Sequence, residues 1–491
     1  MGRSSIDLAD GDVSLKLTGS RTPSCFNRPT AGGEGTIRPD MNKTELTMAS
    51  ASKDRTNFLF AMFEGGGNLS LILPIVAELA RRGHDVRVLA GPNVRAGRRP
   101  MSERFLQRIG ATGAAAVILP APAVHPFDEA RFRGLVGGWM PQWLERLTPN
   151  CAPLVWSMAW ATGVRSELER APADVVAADF ILLGALAAAE AVDVPAAALV
   201  HGTWKHRPAA GAAPYGTGFL PSCSVSGRLR AAPYNALIEY RYRRDGLPAL
   251  NRARRELGLR PLPSPFEQYD RIARVLILSS AAFDIPPDPL PANVRYVGAP
   301  VERSSITTWR SPWQVDDPRP LVLVSLSTLP QGQGPLLKRL LTAVGMLPVR
   351  ALVTLGPSLD RADFTGPPNT VLETFVPHDA VMPLASAMVT QCGLGTLAKA
   401  LSVGLPLVCV PLVADQPGNA ALVAARGAGV RLHPHASPAH IARAIQRVLA
   451  EPSFREAAGC LASHLASENG AQNAVAQLEA LAPTNAALTR R

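Results

Sequence analysis

Aromatic residues are scarce in this chain, at 5% of 491 residues, and charged residues make up only 18%. So little charge beside 47% apolar residues excludes an intrinsically disordered protein. Long uninterrupted apolar runs are missing as well. The most apolar stretch, Ile181 to Val200, is broken by Glu190, Asp193 and Pro195, so it reads as a helix, a turn and a strand rather than a membrane span. No basic stretch followed by an apolar core opens the chain, so no secretory signal is expected. The six cysteines, at 25, 151, 223, 392, 409 and 460, are scattered and form no metal-type pair. They read as reduced thiols of a cytoplasmic protein.

What is present is mostly Ala, Val and Leu, a composition that suits helices packed on sheets. The length implies two domains of ordinary size, or three. The net charge of +11 is unevenly spread: residues 201–260 hold eleven Lys/Arg against Glu239, Asp245 and Glu256. That excess fits a solvated helix face, an acidic partner or transient contact with an anionic membrane surface. No recognition motif accompanies it, so nucleic acid is not an expected partner.

Residues 1–56 lack apolar periodicity and read as a disordered tail. Order is expected from Asn57. Phe58–Phe63 is a buried strand, Gly65-Gly66-Gly67-Asn68 a loop, Leu69 to about Arg82 a helix closed by Gly83, and Val86–Ala90 the next strand. The alternation continues through strand Val175–Ala178, helix Leu182–Ala191 and strand Ala196–Val200, with Val275–Leu278 as the last strand of this half. After a polar stretch the pattern restarts with strands Leu321–Ser325, Ala351–Thr354, Thr370–Glu373, Ala387–Thr390 and Leu407–Val410, and with helices that include Pro335–Val344 and Leu397–Val403. The expected architecture is α/β, two doubly wound domains facing a cleft: 57–298, a linker over 299–318, 319–470, and a C-terminal helix or tail over 471–491. Ligands of such sheets sit beyond the carboxyl ends of the strands.

Two glycine loops lie at such ends. The first carries Gly65 and Gly67, but Ser70 replaces the third glycine of a dinucleotide fingerprint, and the second strand ends at Ala90-Gly91 without the ribose-holding acid. A nicotinamide or flavin oxidoreductase therefore fails. The second, Thr390-Gln391-Cys392-Gly393-Leu394-Gly395-Thr396, joins a buried strand to a helix. Free backbone N–H groups and the positive end of the helix dipole make it an anion site that suits a diphosphate without a metal. Further on, Asp415-Gln416 offer a carboxylate and an amide that hydrogen-bond sugar hydroxyls, or Asp415 caps a helix starting near Pro417.

Phe375-Val376-Pro377-His378, Gln391 through Thr396, Gly404-Leu405-Pro406 and Asp415-Gln416 together resemble the donor-binding signature of the nucleotide-sugar glycosyltransferases, the family of plant secondary-metabolite and bacterial antibiotic enzymes. Phe58 to His84 resembles that family's first βα unit, and Leu250 to Leu259 a stretch of its bacterial macrolide-type members. The resemblance covers roughly residues 57–480. It implies a GT-B fold, an acceptor-binding first domain, a donor-binding second domain, and inverting transfer without metal or cofactor. A hexose or deoxyhexose would move from a UDP- or dTDP-sugar to a small apolar acceptor. Carried over by position, Phe375 lies near the base, Gln391 and the Gly393, Gly395 and Thr396 amides on the diphosphate, and Asp415 and Gln416 on the sugar, with His378 counted among the donor residues.

The chain departs from the family at several positions. The general-base histidine slot holds Asn68, which cannot take a proton. Asp179 matches the aspartate that orients that histidine, or it caps the helix near Leu182. The diphosphate histidine is Gln391, and the ribose-binding glutamate is Lys399, one of six lysines. His201, at the end of strand Ala196–Val200, is the histidine placed to compensate; His206, His84 and His378 have weaker claims. The apolar stretch Phe132–Trp160 would form an acceptor wall or an ordinary core helix. The alternative to an enzyme is a catalytically silent GT-B protein that binds a ligand or a partner transferase. A homodimer is compatible with either.

Overall fold

The computed structural model describes residues 55–65, 67–92, 101–119, 152–209, 211–222, 224–302, 308–326 and 331–483. Nearly all of the expected 1–56 tail, and most of the expected acceptor wall, lie outside the described residues.

Seven strands form the first sheet: β1 (Asn57–Phe63), β2 (Asp85–Gly91), β3 (Ala115–Ile118), β4 (Val175–Asp179), β5 (Ala196–Val200), β6 (Arg274–Ile277) and β7 (Val294–Tyr296). Their order is β3-β2-β1-β4-β5-β6-β7, and every pairing is parallel. The second sheet holds β8 (Leu321–Ser325), β9 (Arg350–Thr354), β10 (Thr370–Glu373), β11 (Ala387–Thr390), β12 (Leu407–Cys409) and β13 (Gly429–Arg431). It runs β10-β9-β8-β11-β12-β13, again all parallel. Helices cover both faces of such sheets, which is why β4, β5 and β8 are continuous apolar runs buried along their whole length.

Helix α1 (Leu69–Arg81) buries Leu69, Leu71, Ile72, Leu73, Ile75, Val76 and Leu79. It stops where expected. Gly83 takes φ +87°, the Gly83 N–H donates to Ala80 and the His84 N–H to Leu79, the paired bonds of a left-handed helix end. Helix α2 (Leu183–Ala191) follows β4; α3 (Leu394–Ser402) follows β11; α4 (Gln416–Ala425) follows β12; and α5 (Gly470–Glu479) ends the described helices. No helix among the described residues is long and apolar enough to cross a membrane.

The first sheet does not end at the strand expected over Val275–Leu278, because β7 pairs beyond β6. With three residues and prolines upstream, β7 leaves no pattern to read; β3 and β13 were hidden for similar reasons. In each sheet the strand order reverses between the first strand and its later neighbour, at β1/β4 and at β8/β11, the position at which such sheets bind ligands.

From Lys53 onward the chain is one compact unit. A continuous apolar cluster runs from Phe60 and Ile72, through Val475 and Leu478, to Met388 and Leu397. Polar ties cross the same boundary. Glu479 on α5 takes Arg82 and His84 at 2.9 Å each, Arg426 donates to the Phe283 carbonyl at 3.1 Å, and Arg431 donates to the Gly218 carbonyl at 2.7 Å.

The basic stretch 201–260 is less open than its charge suggests. Lys205, Arg207, Arg241, Arg243, Arg244 and Arg254 are paired with carboxylates. Arg254 is buried against Glu190 and Gln268, so its charge supports α2 rather than the surface.

Candidate active site

Three residues that are far apart in sequence meet at the carboxyl ends of β1, β4 and β5. Asp179 closes β4 and is fully buried. Its Oδ2 accepts from Asn68 Nδ2 at 3.1 Å and lies 3.4 Å from His201 Nε2. Asn68 precedes α1 and anchors itself further by donating to the Phe63 carbonyl at 3.2 Å. Its Oδ1 is buried without a partner. A Cβ on Gly65 would come within 2.2 Å of that oxygen, so a glycine there permits this close approach. Asp179 does not cap α2: its Oδ1 takes the Ile181 N–H at 3.3 Å, and Leu182 occupies the cap position.

His201 follows β5 directly, and its side chain is 19% exposed. Its ring packs edge-on against Phe180 at 5.1 Å. The contact with Asp179 lies within ion-pair range but makes no hydrogen bond, and Nε2 is otherwise unpartnered. Hydrogen bonds of acid–base pairs are often this long before substrate draws them together.

The other histidines do different work. His84 joins Glu479 to the Thr56 N–H inside the fold. His206 is enclosed by Trp204 and Tyr269, its ring nitrogens have no partner, and burial holds its pKa down to about 3. His378 opens a short helix at Pro377; burial and the nearby Lys399 hold it down to about 4. Neither His84, His206 nor His378 reaches Asp179.

The second loop turns on strained backbone. Cys392 has φ +68° and Ala414, just before Asp415, φ +60°, left-handed values that side-chain-bearing residues rarely adopt. Burial beside Cys409 pushes the Cys392 thiol up, so it is a packed, uncharged side chain. Gly393 is the cap residue of α3 and carries no side-chain cap, which leaves the N–H groups of the first turn, those of Leu394, Gly395 and Thr396, without helix acceptors. Gln391 folds its Nε2 over Gly393, within 3.4 Å of where a Cβ would sit. A Cβ on Gly395 would stand 2.7 Å from Ser70 Oγ, so the first turns of α1 and α3 face each other at close range.

Asp415 sits at the cap position of α4 without capping it. Its Oδ2 accepts from Asn419 Nδ2 at 3.1 Å, and the same amide donates to the Cys392 carbonyl at 3.0 Å. Gln416 is spent on its own loop: Oε1 accepts the Leu412 and Val413 N–H groups at 2.8 and 3.1 Å, and Nε2 donates to Gln331 at 2.9 Å. Phe375 is 67% exposed, so it is no core aromatic and a ring face is available. Lys399 donates to Asp379 at 3.0 Å on the neighbouring turn. Among the described residues no group of three or more His, Cys, Asp or Glu side chains could hold a metal ion.

Two members of this site were not foreseen. Asn419 is fully buried and links Asp415 to the glycine loop; an asparagine one turn after Asp415 on α4 was its only signal. Lys205 reaches Asp415 from the opposite half, Nζ to Oδ2 3.7 Å, a pairing across 210 positions that no local pattern announces.

Comparison with known proteins bears on the fold and the family. Residues 338–481 match the family described as "Erythromycin biosynthesis protein CIII-like, C-terminal domain". The 4'-demethylrebeccamycin synthase of Lentzea aerocolonigenes is 28% identical over 449 residues, covering 86% of this chain and 99% of that protein. The tylactone mycaminosyltransferase of Streptomyces fradiae is 35% identical over 29% of this chain and 32% of its own. Among solved structures, the calicheamicin glycosyltransferase CalG4 superposes with a TM-score of 0.65 at 22% identity, over 87% of this chain and 98% of its own. The glycosyltransferase VinC in complex with dTDP gives 0.57 at 18% identity, over 86% and 99%. With its two Rossmann-like sheets the chain has the GT-B fold, and over most of its length it is similar to the nucleotide-sugar glycosyltransferases that include the bacterial antibiotic enzymes.

Proposed function

We propose that this chain transfers a hexose or deoxyhexose from a UDP- or dTDP-sugar to a hydroxyl of a small apolar acceptor, with inversion and without a metal. The observation that carries the reading is the Asp179 carboxylate set between Asn68 and His201 at the strand ends of the first sheet. Asn68 occupies the position where the family places its base, and His201 approaches the same carboxylate from the next strand. Asp179 orients the His201 ring through Nε2, leaving Nδ1 to take the acceptor proton. In one displacement the acceptor oxygen bonds to C1 of the sugar, its proton passes to His201, and the C1–O bond breaks with its electron pair left on the diphosphate.

On the donor side, the first-turn N–H groups of α3 receive the diphosphate, Asp415 and Asn419 meet sugar hydroxyls, and the exposed Phe375 ring stacks on the base. Gln416, fixed in its loop, positions Asp415 and presents at most one remaining amide proton.

A panel of UDP- and dTDP-sugars, assayed for transfer and donor hydrolysis with and without EDTA, tests the reading. Turnover unaffected by EDTA, with the product anomer opposite to the donor's, supports it. Turnover restored only by Mg²⁺ or Mn²⁺ contradicts the metal-free mechanism, and absence of turnover with any donor contradicts the enzyme.

A further inference from the structure

The loop after β5 carries a cation that the proposed reaction has not yet used. Only 7% of the Lys205 side chain is exposed. Its neighbours fix it. The Trp204 N–H donates to Asp284 at 2.7 Å, Trp204 Nε1 donates to the Arg207 carbonyl at 3.0 Å, and His206 wedges between Trp204 and Tyr269. The Lys205 ammonium lies 5.7 Å from the centre of the Phe180 ring, and a Cβ on Gly202 would come within 2.7 Å of it. The loop is therefore built to hold this ammonium in one place.

That place is opposite Asp415. The 3.7 Å separation is an ion pair without a hydrogen bond, and among the described residues Nζ makes no hydrogen bond at all. An ammonium so little exposed and so weakly satisfied is costly unless something binds it. Asp415 is joined through Asn419 to the Cys392 carbonyl, so Lys205 stands at the rim of the loop that opens α3. This loop offers backbone N–H groups and the neutral Gln391, but no formal positive charge of its own. Transfer nevertheless leaves an added negative charge on the departing diphosphate.

We propose that Lys205 is a donor-contacting cation contributed by the first half: its ammonium exchanges Asp415 for the diphosphate oxygens when a nucleotide sugar seats, and it neutralises the charge that grows there as the sugar leaves. The exchange also frees Asp415 for sugar hydroxyls, so one movement readies both groups. The inference rests on the donor site described above.

Calorimetric titration with UDP, UMP, dTDP and dTMP tests it in the wild type, Lys205→Met, Lys205→Arg and Asp415→Asn. Methionine keeps the apolar stem over Phe180 and removes only the charge. A charge-assisted hydrogen bond of the usual strength corresponds to about 10- to 100-fold in affinity. Lys205→Met is expected to lose that much of the preference for diphosphate over monophosphate, with monophosphate affinity unchanged; Lys205→Arg should keep most of it. Asp415→Asn releases the ammonium, so diphosphate affinity should hold or rise. An unchanged diphosphate preference in Lys205→Met, or weakened diphosphate binding in Asp415→Asn, overturns the proposal. A wild type that binds no nucleotide overturns the donor site itself, and this inference with it.

Discussion

The two halves share a parallel topology with a strand-order reversal at the centre, yet their strand ends are furnished differently. The first half brings side chains together: Asn68, Asp179 and His201 come from three strands and meet around one carboxylate. The second half works mainly with backbone: a strained Cys392, an uncapped helix start and Gly395, where a Cβ would stand 2.7 Å from Ser70 Oγ. Moving a proton needs a titratable group at a defined distance, which only side chains supply. Holding a diphosphate needs several fixed donors in a concave array, which the first turn of a helix provides. On the proposed reading, one architecture, used twice, divides proton transfer from anion binding.

Breaking the first half should have the largest effect. His201→Ala is expected to lower kcat about 10²–10⁴-fold, measured with a donor and acceptor that the wild type turns over. Asn68→His in the same background should recover part of that loss, because it returns a ring nitrogen to within reach of Asp179.

Breaking the second half should act on binding instead. In Thr396→Pro the first turn of α3 tolerates the ring but loses one N–H. Nucleoside diphosphate affinity should fall about 10-fold or more by calorimetry. Gly395→Val drives a side chain into Ser70, where a Cβ alone would stand at 2.7 Å, and should weaken binding with little change in the circular dichroism spectrum.

A smaller effect separates the framework from the chemistry. His206 is held down to about 3 and His378 to about 4, against an ordinary 6.5. Below about pH 6.5 the unfolded chain binds protons that these folded groups refuse, so stability should fall as pH drops toward 4. For the buried His206 the slope is about 1.4 kcal/mol per pH unit. Asp284, pushed up by burial, works in the opposite direction, so the test is a difference. Urea melts of wild type and His206→Phe at pH 7, 6 and 5 should diverge, with the variant less acid-sensitive; parallel curves would count against the assignment.

The smallest effect concerns the joint between the halves. Glu479 holds Arg82 and His84 from α5. Glu479→Ala should cost on the order of 1 kcal/mol in a urea melt, with nucleotide affinity unchanged.

The same contrast governs what the sequence revealed. The second glycine loop was legible as a strand-to-helix turn because glycines and a small hydroxyl residue lie within seven consecutive positions, Thr390 to Thr396. The longer strands were legible as apolar runs, whereas β7 and β13, of three residues each, had too little pattern to register. Asp179 and His201 could be named from strand ends, but their approach to one another depends on β4 and β5 pairing as neighbours. The Lys205–Asp415 pair was beyond reach, since it forms only when the two sheets face each other. Gln416 shows the converse: a residue legible by motif whose amide the folded loop mostly consumes.

The division of labour is tested most directly by measuring, in His201→Ala alone, both the dissociation constant of the nucleoside diphosphate and kcat for transfer. The expected result is an unchanged dissociation constant with kcat reduced at least about 100-fold. A variant that transfers sugar at the wild-type rate, or that loses nucleotide affinity in step with turnover, would contradict it.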